Sequence, residues 1–143
     1  MKATAIAHPI QGLVKYHGLK DIMLRIPFHD SISVCIDALN TTTTIEATKS
    51  LNKDSVAING KKPVGRDLER VEVVLNKLRS MSAYSGSFKV VSQNSITRGK
   101  GLGFSASGFA ALGIAACAAL NLKIDYMSLS EVVRLGAGSA TRS

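Results

Sequence analysis

The stretch "RGKGLGFSAS" at residues 98–107 combines glycines with cations and hydroxyls, just before an apolar segment. Gly99, Gly101 and Gly103 permit positive φ angles and a close approach of the backbone to a ligand. Backbone N–H groups in such a loop can form a concave anion site, and a helix that follows adds its positive dipole end. The side chains that could donate to the same anion are those of Arg98, Lys100, Ser105 and Ser107. This pattern favours phosphate binding.

Two standard phosphate-binding motifs fail to fit this loop. The Walker A pattern G-x-x-x-x-G-K-S/T is absent. The pattern G-x-G-x-x-G fails when it is counted from Gly99, because Phe104 occupies the place of the third glycine. Counted from Gly101, the third place is Ala106, which satisfies only a looser form of the pattern. A flexible loop in front of a core helix therefore stays open as the alternative.

The composition excludes some classes of partner. Eighteen basic and 10 acidic residues give a formal charge of +8, which suits anionic partners. The four phenylalanines and three tyrosines are not interleaved with a basic cluster, so nucleic acid is not expected. The longest apolar run, residues 109–120, is shorter than the about 20 residues that span a bilayer. With no signal-peptide pattern, we expect a soluble cytoplasmic protein without a membrane partner.

The two cysteines, Cys35 and Cys117, both lie in apolar runs. We expect both to be buried free thiols in a reducing compartment. Their spacing from each other and from the histidines suits no zinc site, so no metal ligands are predicted.

Hydrophobic periodicity outlines the elements that must position the glycine loop. Strands are predicted at residues 2–7, 31–39, 41–48, 55–60 and 87–94. The short link after residue 36 suggests that the second and third of these pair as a hairpin, with the threonines of residues 41–44 on the strand surface. Helices are predicted at residues 66–79 and 105–120, and a third begins near Ser128, where Ser128 and Glu131 fit a capping box. The order of strands and helices favours an α+β fold.

Three motifs in the chain resemble those of one family. "GLGFSASGFAALG" resembles the phosphate loop of the GHMP kinase superfamily, P-x-x-x-G-L-G/A-S-S-A/S. "HPIQGLVKYHGLKD" with "LRIPFHDSISVCI" is similar to the N-terminal signature of mevalonate diphosphate decarboxylases, and "GAGSATRS" resembles their G-S-G-S-A-C-R-S. The motifs occur in family order and cover most of the chain. The resemblance implies a GHMP-kinase-like N-terminal domain at residues 1–143, with a mixed sheet packed against helices.

The same resemblance implies roles for particular residues. Lys15 and Arg142 match the catalytic lysine and arginine, which surround the C3 oxygen and the carboxylate of the substrate. Tyr16 and Ser139 match substrate-contacting residues, and Lys20 is one residue from a family lysine that contacts the 5-diphosphate. The phosphate-loop positions are Lys100, Gly101, Gly103, Ser105, Ala106 and Ser107. The family's catalytic aspartate lies past residue 143.

This chain departs from the family pattern at places that bear on its cofactor. Phe104 stands where the loop has its first serine, and Thr97 replaces the loop proline. Phe104 offers no hydroxyl to a triphosphate or to Mg²⁺, which argues against the use of ATP with Mg²⁺. Leu19 replaces the lysine that contacts the 5-diphosphate, and Ala137 replaces a serine of the same site. His29 and Asp30 stand where the family has Asn-Ser.

The resemblance implies a decarboxylase of a phosphorylated mevalonate in isoprenoid biosynthesis. It would release CO₂ and the C3 oxygen as phosphate, and form isopentenyl phosphate or diphosphate. Three alternatives stay open: ATP-independent decarboxylation of mevalonate 3,5-bisphosphate, a GHMP small-molecule kinase, and a non-catalytic fragment or binding module. Since the C-terminal GHMP domain is absent from this chain, we expect the isolated chain to be inactive. Its expected partners are the missing half or a second chain, and a homodimer is a further possibility.

Overall fold

A computed structural model describes residues 1–97 and 101–143 of the chain. The β-strands are β1 (Lys2–Ala7), β2 (Ile10–Val14), β3 (Leu19–Asp21), β4 (Ile26–Pro27), β5 (Ile32–Cys35), β6 (Thr41–Thr48), β7 (Ser55–Ile58) and β8 (Ser87–Asn94). The helices are α1 (Arg66–Met81), α2 (Phe104–Leu120), α3 (Tyr126–Gly136) and a 3₁₀ helix (Gly138–Arg142).

The main sheet has four strands in the order β1-β6-β8-β7. The pairs β1–β6 and β6–β8 are antiparallel, whereas β7 runs parallel to β8. Helix α1 connects these two parallel strands, as a crossover between parallel strands requires. The predicted α+β fold with a mixed sheet is therefore confirmed.

The predicted hairpin between the strand after Ser31 and Thr41–Thr48 is wrong. Strand β5 pairs antiparallel with β2, a strand that sequence reasoning missed, and β6 lies between β1 and β8. The link that was expected to be a hairpin turn carries the chain from one sheet to another, and Ile36 N donates to Pro9 O at 2.8 Å. Because β6 is a central strand, both of its edges are already paired with β1 and β8.

The threonines of β6 alternate between two environments. Thr41 and Thr43 are buried, with exposures of 0% and 1%, and Ile45 continues the same face. The expectation that residues 41–44 form strand surface is therefore wrong for half of them. Thr43 Oγ1 pairs with Ser92 Oγ on β8 at 2.9 Å, so the buried hydroxyl is satisfied. Helix α2 covers this face of β6, which leaves no solvent for these side chains.

Helix α2 packs between the sheet and the remaining helices. Eleven of its 17 residues are buried, as the continuous apolar sequence predicts. Helix α1 buries one face, formed by Val71, Val74, Leu75 and Leu78. Cys117 on α2 is buried as expected, and burial raises the pKa of its thiol. Cys35 is exposed, which contradicts the expectation, because the face of β5 that carries it is only partly covered.

Helix α3 begins at Tyr126, before the predicted start. Asp125 is its N-cap and accepts hydrogen bonds from Ser128 N at 2.9 Å and Ser128 Oγ at 2.7 Å. These bonds hold the pKa of the Asp125 carboxyl below its usual range. The predicted capping box at Ser128 is therefore wrong, because the aspartate three residues earlier caps the same N–H group. Among the described helices, none is long and apolar enough to cross a membrane.

An ion pair ties α1 to the sheet. Arg79 Nη2 lies 2.8 Å and 2.7 Å from the two carboxylate oxygens of Asp54, and its Nε donates to Gly86 O at 3.1 Å. Asp54 Oδ1 also accepts from Phe88 N at 2.8 Å. The side chains of both ions are less than a quarter exposed.

We expect Asp54→Ala to lower the free energy of unfolding by about 2–3 kcal/mol, because it leaves Arg79 Nη2 and the Phe88 amide without their acceptor. Equilibrium urea unfolding of the complete protein measures the change. Glu72→Ala, at an exposed position of α1, is the matched control and should change stability little. Equal stability of the two variants would show that the ion pair adds nothing.

Candidate active site

A cleft of about 260 Å³ lies between β2, the glycine loop and the 3₁₀ helix. We call it the cationic cleft, because Lys15 and Arg142 both line it. Six of the predicted site residues meet there, namely Lys15, Tyr16, Gly101, Gly103, Ser139 and Arg142. They come from three segments that lie far apart in the sequence. The cleft therefore places a lysine, an arginine and two hydroxyl side chains around one space.

Local backbone structure directs Lys15 into the cleft. The register of β2 against β5 shifts between Gly12 and Val14, and such an irregularity re-aims the side chains that follow. A Cβ atom on Gly12 would lie 2.9 Å from Lys15 Cγ. The lysine stem therefore packs directly on the Gly12 backbone, and only glycine leaves room for it there.

Tyr16 reaches the cleft by a similar contact with another glycine. Its hydroxyl group lies so close to Gly138 that a Cβ atom at that position would overlap it. Gly138 is the first residue of the 3₁₀ helix that carries Ser139 and Arg142. This contact holds the tyrosine against the segment that supplies the arginine.

The glycine loop has the backbone that an anion site needs. Gly101 and Gly103 have φ angles of +87° and +77°, which favour glycine. A Cβ atom on Gly103 would overlap the carbonyl oxygen of Ile10 on β2. Gln11 Nε2 donates to Gly101 O at 3.0 Å, so the loop is attached to β2 twice. Helix α2 begins immediately after the loop without a side-chain cap. Ala106 N donates to Gly103 O at 2.9 Å, whereas Phe104 N and Ser105 N have no acceptor within residues 1–97 and 101–143.

The other predicted loop residues do not all face the cleft. Ser107 is fully buried, and its Oγ pairs with Thr41 Oγ1 at 2.7 Å and donates to Phe104 O at 3.3 Å. The expected hydroxyl donor at this position therefore belongs to the core. Ala106 is also fully buried, and Ser105 is exposed and lines a different cavity. Lys100 lies outside the described residues.

Lys20, predicted as a substrate contact, is not among the residues that line the cationic cleft. It lies on β3 and is exposed. Strand β3 pairs with β4 in a two-stranded sheet that is separate from the sheet of β2 and β5.

Arg142 is held by Cys35 at the end of β5 and by Ser31, the residue before this strand, which are contacts that sequence reasoning missed. Its Nη1 donates to Ser31 Oγ, and its carbonyl oxygen accepts a hydrogen bond from Cys35 Sγ at 3.3 Å. The alternation of polar and apolar residues in "SISVC" was the sequence signal for this face.

A second cavity, of about 310 Å³, lies beside the first turns of α2, where Phe104 and Ser105 line it. We call it the α1–α2 cavity, since α1 and α2 line it together with β6, β7 and β8. Phe104 lines this cavity, and three cations do so as well, namely Lys61, Lys62 and Arg70. Sequence reasoning did not single out these cations.

Arg70 is fixed within the wall of the α1–α2 cavity. Its Nε donates to Gly136 O at 2.6 Å, and its guanidinium lies 5.0 Å from the centre of the Phe109 ring. Burial, followed by the charge of Arg25, lowers the pKa of Arg70. The Phe109 ring itself packs on Gly136, where a Cβ atom would overlap it.

Metal-binding side chains are not clustered in the part of the chain that the structure describes. No group of three or more His, Cys, Asp or Glu residues is placed to hold a metal ion there. The chain is thus a small α+β domain with a glycine loop at a helix N-terminus, two cations in the cleft beside it and a separate cavity lined by α1 and α2, an arrangement suited to an anionic ligand.

Comparisons with known proteins identify the family. Residues 7–143 match the model of the diphosphomevalonate decarboxylase-like N-terminal domain. The phosphomevalonate decarboxylase of Haloferax volcanii is 43% identical over 143 residues, and the diphosphomevalonate decarboxylase of Candida albicans is 34% identical over 157 residues. The crystal structure of mevalonate diphosphate decarboxylase from Staphylococcus aureus superimposes with a TM-score of 0.91 at 34% identity. The chain belongs to the diphosphomevalonate decarboxylase-like family.

These relatives extend well beyond the matched region. The alignments cover 100% of this chain but 44% of the Haloferax protein and 43% of the Candida protein. The Staphylococcus structure is covered over 43% of its chain. The chain thus spans less than half of the length of the relatives that it matches.

We expect Gly138→Ala to weaken the binding of a ligand in the cationic cleft about tenfold or more, because the added methyl group must displace the Tyr16 ring. Calorimetric titration of the complete protein with mevalonate 5-phosphate or 5-diphosphate, without nucleotide, measures the effect. Gly108→Ala is the matched control, since a Cβ atom on Gly108 meets open space. Unchanged affinity in Gly138→Ala would mean that Tyr16 is not part of the site.

Proposed function

We propose that this chain forms the N-terminal part of a decarboxylase that acts on a phosphorylated mevalonate. The observation that supports this most directly is the convergence of Lys15, Tyr16, Ser139 and Arg142 on the cationic cleft beside the glycine loop. The product is isopentenyl phosphate or diphosphate, depending on the substituent at C5. The relatives that carry the names phosphomevalonate and diphosphomevalonate decarboxylase support this assignment.

The reaction requires positive charge at two places on the substrate. A phosphate on the C3 oxygen leaves with the bonding electrons, and the electrons of the bond to the carboxylate then form the alkene as CO₂ departs. Fixed cations stabilise the charge that develops on the leaving phosphate. Arg142 is suited to bidentate contact with phosphate or carboxylate, and Lys15 supplies a point charge.

The glycine loop supplies a second type of anion contact. Its backbone and the first turn of α2 present N–H groups and the positive end of the helix dipole. The buried side chain of Ser107 keeps this helix start attached to β6, while the backbone carries the donors. We therefore assign the loop a phosphate contact through its main chain.

The α1–α2 cavity has residues that fit a nucleotide. Its wall combines apolar side chains, on which a base could pack, with the cations Lys61, Lys62 and Arg70. One solved relative, with a TM-score of 0.91, is a complex with MVAPP, AMPPCP and magnesium. When bound, ATP with Mg²⁺ would supply the phosphoryl group for the C3 oxygen. Ser105 is the hydroxyl residue of this chain that lines the cavity at its loop end.

A second candidate is decarboxylation of mevalonate 3,5-bisphosphate without ATP. Phe104 favours it, because this ring lines the α1–α2 cavity at the place where the family has a serine hydroxyl. In this version the cationic cleft and the loop act on a substrate that already carries its leaving group. A small-molecule kinase is disfavoured by the placement of both Lys15 and Arg142 in the cleft.

We propose that a second domain, on the same protein or on a second chain, supplies the catalytic aspartate and closes the cationic cleft. The length of the relatives supports this arrangement. Exposed apolar side chains on β2 and β5, at Val14, Ile32 and Val34, offer it a surface.

The proposed function is tested with a panel of substrates. The complete protein is given mevalonate 5-phosphate, 5-diphosphate or 3,5-bisphosphate, each with and without ATP and Mg²⁺, and CO₂ release is measured. ATP-dependent release of CO₂ from mevalonate 5-phosphate or 5-diphosphate supports the first candidate. ATP-free release of CO₂ from the 3,5-bisphosphate alone supports the second. Binding without CO₂ release from all three would refute decarboxylation.

We expect Arg142→Lys to lower kcat/KM by about 10²-fold or more, since lysine cannot make the bidentate contact of arginine. Steady-state CO₂ release on the substrate that the panel identifies measures the loss. Arg66→Lys, at an exposed position of α1, is the matched control and should retain the activity of the unmodified protein. A similar kcat/KM in both variants would remove Arg142 from the catalytic machinery.

A further inference from the structure

One amide side chain lines the cationic cleft next to the glycine loop. Gln11 lies on β2 and is half-buried, and both Gln11 and Gly101 line the cleft. Gln11 Nε2 donates to Gly101 O at 3.0 Å. Because a carbonyl oxygen only accepts hydrogen bonds, the nitrogen of the amide must face it, and this bond fixes the orientation of the Gln11 amide. Neither the predicted catalytic pair nor the predicted substrate contacts include this side chain.

Packing does not hold Gly101 in place. A Cβ atom on Gly101 would meet no other atom within 4 Å, whereas a Cβ atom on Gly103 would overlap Ile10 O. The φ angle of Gly101 is +87°, in a region that glycine enters freely. Within residues 1–97 and 101–143, the bond from Gln11 is the one hydrogen bond that Gly101 O accepts. Gly103 is therefore fixed by contact with β2, and Gly101 by the Gln11 amide.

The bond from Gln11 also sets the direction of a main-chain donor. The C=O and N–H groups of one trans peptide unit point in opposite directions, so the bond that holds Gly101 O also holds the N–H group of Leu102. The N–H groups of Leu102 and Gly103 have no acceptor in the described part of the chain. A phosphate group needs such donors, and it is repelled by a carbonyl oxygen that points toward it. An unrestrained glycine could turn its carbonyl group either way.

We propose that Gln11 is a positioning residue, which acts through Gly101 to keep the glycine loop in the form that binds a phosphate group. Its amide holds the Gly101 carbonyl oxygen against β2 and away from the anion, so that the neighbouring N–H groups donate to the phosphate oxygens. The phosphate belongs to a mevalonate compound or to a nucleotide. Phosphate binding by the loop rests on the proposed function, whereas the restraint on Gly101 rests on its contact with Gln11.

Gln11→Met tests this role, because it removes the amide and keeps an unbranched side chain of similar length. Calorimetric titration of the complete protein measures the dissociation constants of mevalonate 5-phosphate, mevalonate 5-diphosphate and AMPPCP with Mg²⁺. The constant of the ligand whose phosphate meets the loop should rise about tenfold, as expected for the loss of one hydrogen bond to a charged group. Gln93→Met, at an exposed position of β8, is the matched control and should leave all three constants unchanged.

Backbone-amide NMR separates a positioning role from a structural one. In the unmodified protein, the N–H resonances of Leu102 and Gly103 should move downfield as ligand is added, because these groups donate to charged oxygens. The movement should be smaller in Gln11→Met, while the thermal midpoint of the ligand-free protein changes little, since Gln11 is only half-buried. A lower midpoint with the full movement of both resonances would make Gln11 a structural residue and overturn the proposal.

The three ligands distinguish the two sources of the phosphate. A larger constant for the mevalonate compounds means that a substrate phosphate meets the loop, and a larger constant for AMPPCP means that a nucleotide phosphate does. Either result, or both together, supports the proposal. Unchanged constants for all three ligands in Gln11→Met overturn it.

Failure of the proposed function gives a different result. If the unmodified protein binds none of the three ligands, neither a mevalonate phosphate nor this nucleotide is its ligand. Inorganic pyrophosphate then becomes the probe, and its effect on the thermal midpoint is compared between the unmodified protein and Gln11→Met. A smaller effect in the variant supports the role of Gln11, and equal effects overturn it.

Discussion

The burial of α2 is the constraint on which both cavities depend. The helix is formed largely of small residues, and Ala106, Ala111, Ala115 and Ala116 are fully buried. Small side chains let the helix lie close to β1 and β6 on one side and to α3 on the other. Gly113 extends this approach, because a Cβ atom there would overlap Val133. A helix held on so many sides fixes the position of its N-terminus, and the glycine loop ends there.

The glycines of the recognised motifs contribute mainly by allowing close approach. In the sequence, Gly99, Gly101 and Gly103 indicate a flexible or phosphate-binding loop, since glycine is usually associated with conformational freedom. In the fold, Gly12 supports the stem of Lys15 and Gly138 supports the ring of Tyr16, whereas Gly103 combines a positive φ with contact on Ile10. The same residues that look permissive in the sequence therefore make the site rigid, because each leaves its neighbour a single place to pack.

Sequence reasoning succeeded where local pattern and motif agree. The limits of β8 and the amphipathic face of α1 follow from periodicity alone, and the motifs identify Lys15, Tyr16, Ser139 and Arg142 as the residues that meet in one cleft. Sequence reasoning failed where the structure depends on pairing between strands that lie far apart in the sequence. The partners of β5 and β6 depend on β2, whose signal is weak, and that error also hid the polar face of β5 that contacts Arg142.

The motif assigned several loop residues to the site, and one of them, Ser107, has its side chain in the core instead. Ser107 joins Thr41 in the core, so its hydroxyl ties the start of α2 to β6. Motif matching cannot separate these two uses, because both require a hydroxyl at the same position. Burial separates them, since a side chain with no exposed surface cannot reach a ligand without leaving its partner.

Phe104 lies at the point in the sequence where the lining of one cavity gives way to the lining of the other. The glycines that precede it line the cationic cleft, and the aromatic ring itself lines the α1–α2 cavity. A serine at this point would offer a hydroxyl to a phosphate chain that passes between the cavities. A phenyl ring offers only apolar surface, so any phosphate transferred across the loop must rely on backbone N–H groups and on the surrounding cations. None of the side chains that line the cationic cleft lines the α1–α2 cavity within the described part of the chain. The two cavities therefore have separate linings in this fold, and a substitution such as the one at Phe104 can alter the α1–α2 cavity while it preserves the cationic cleft.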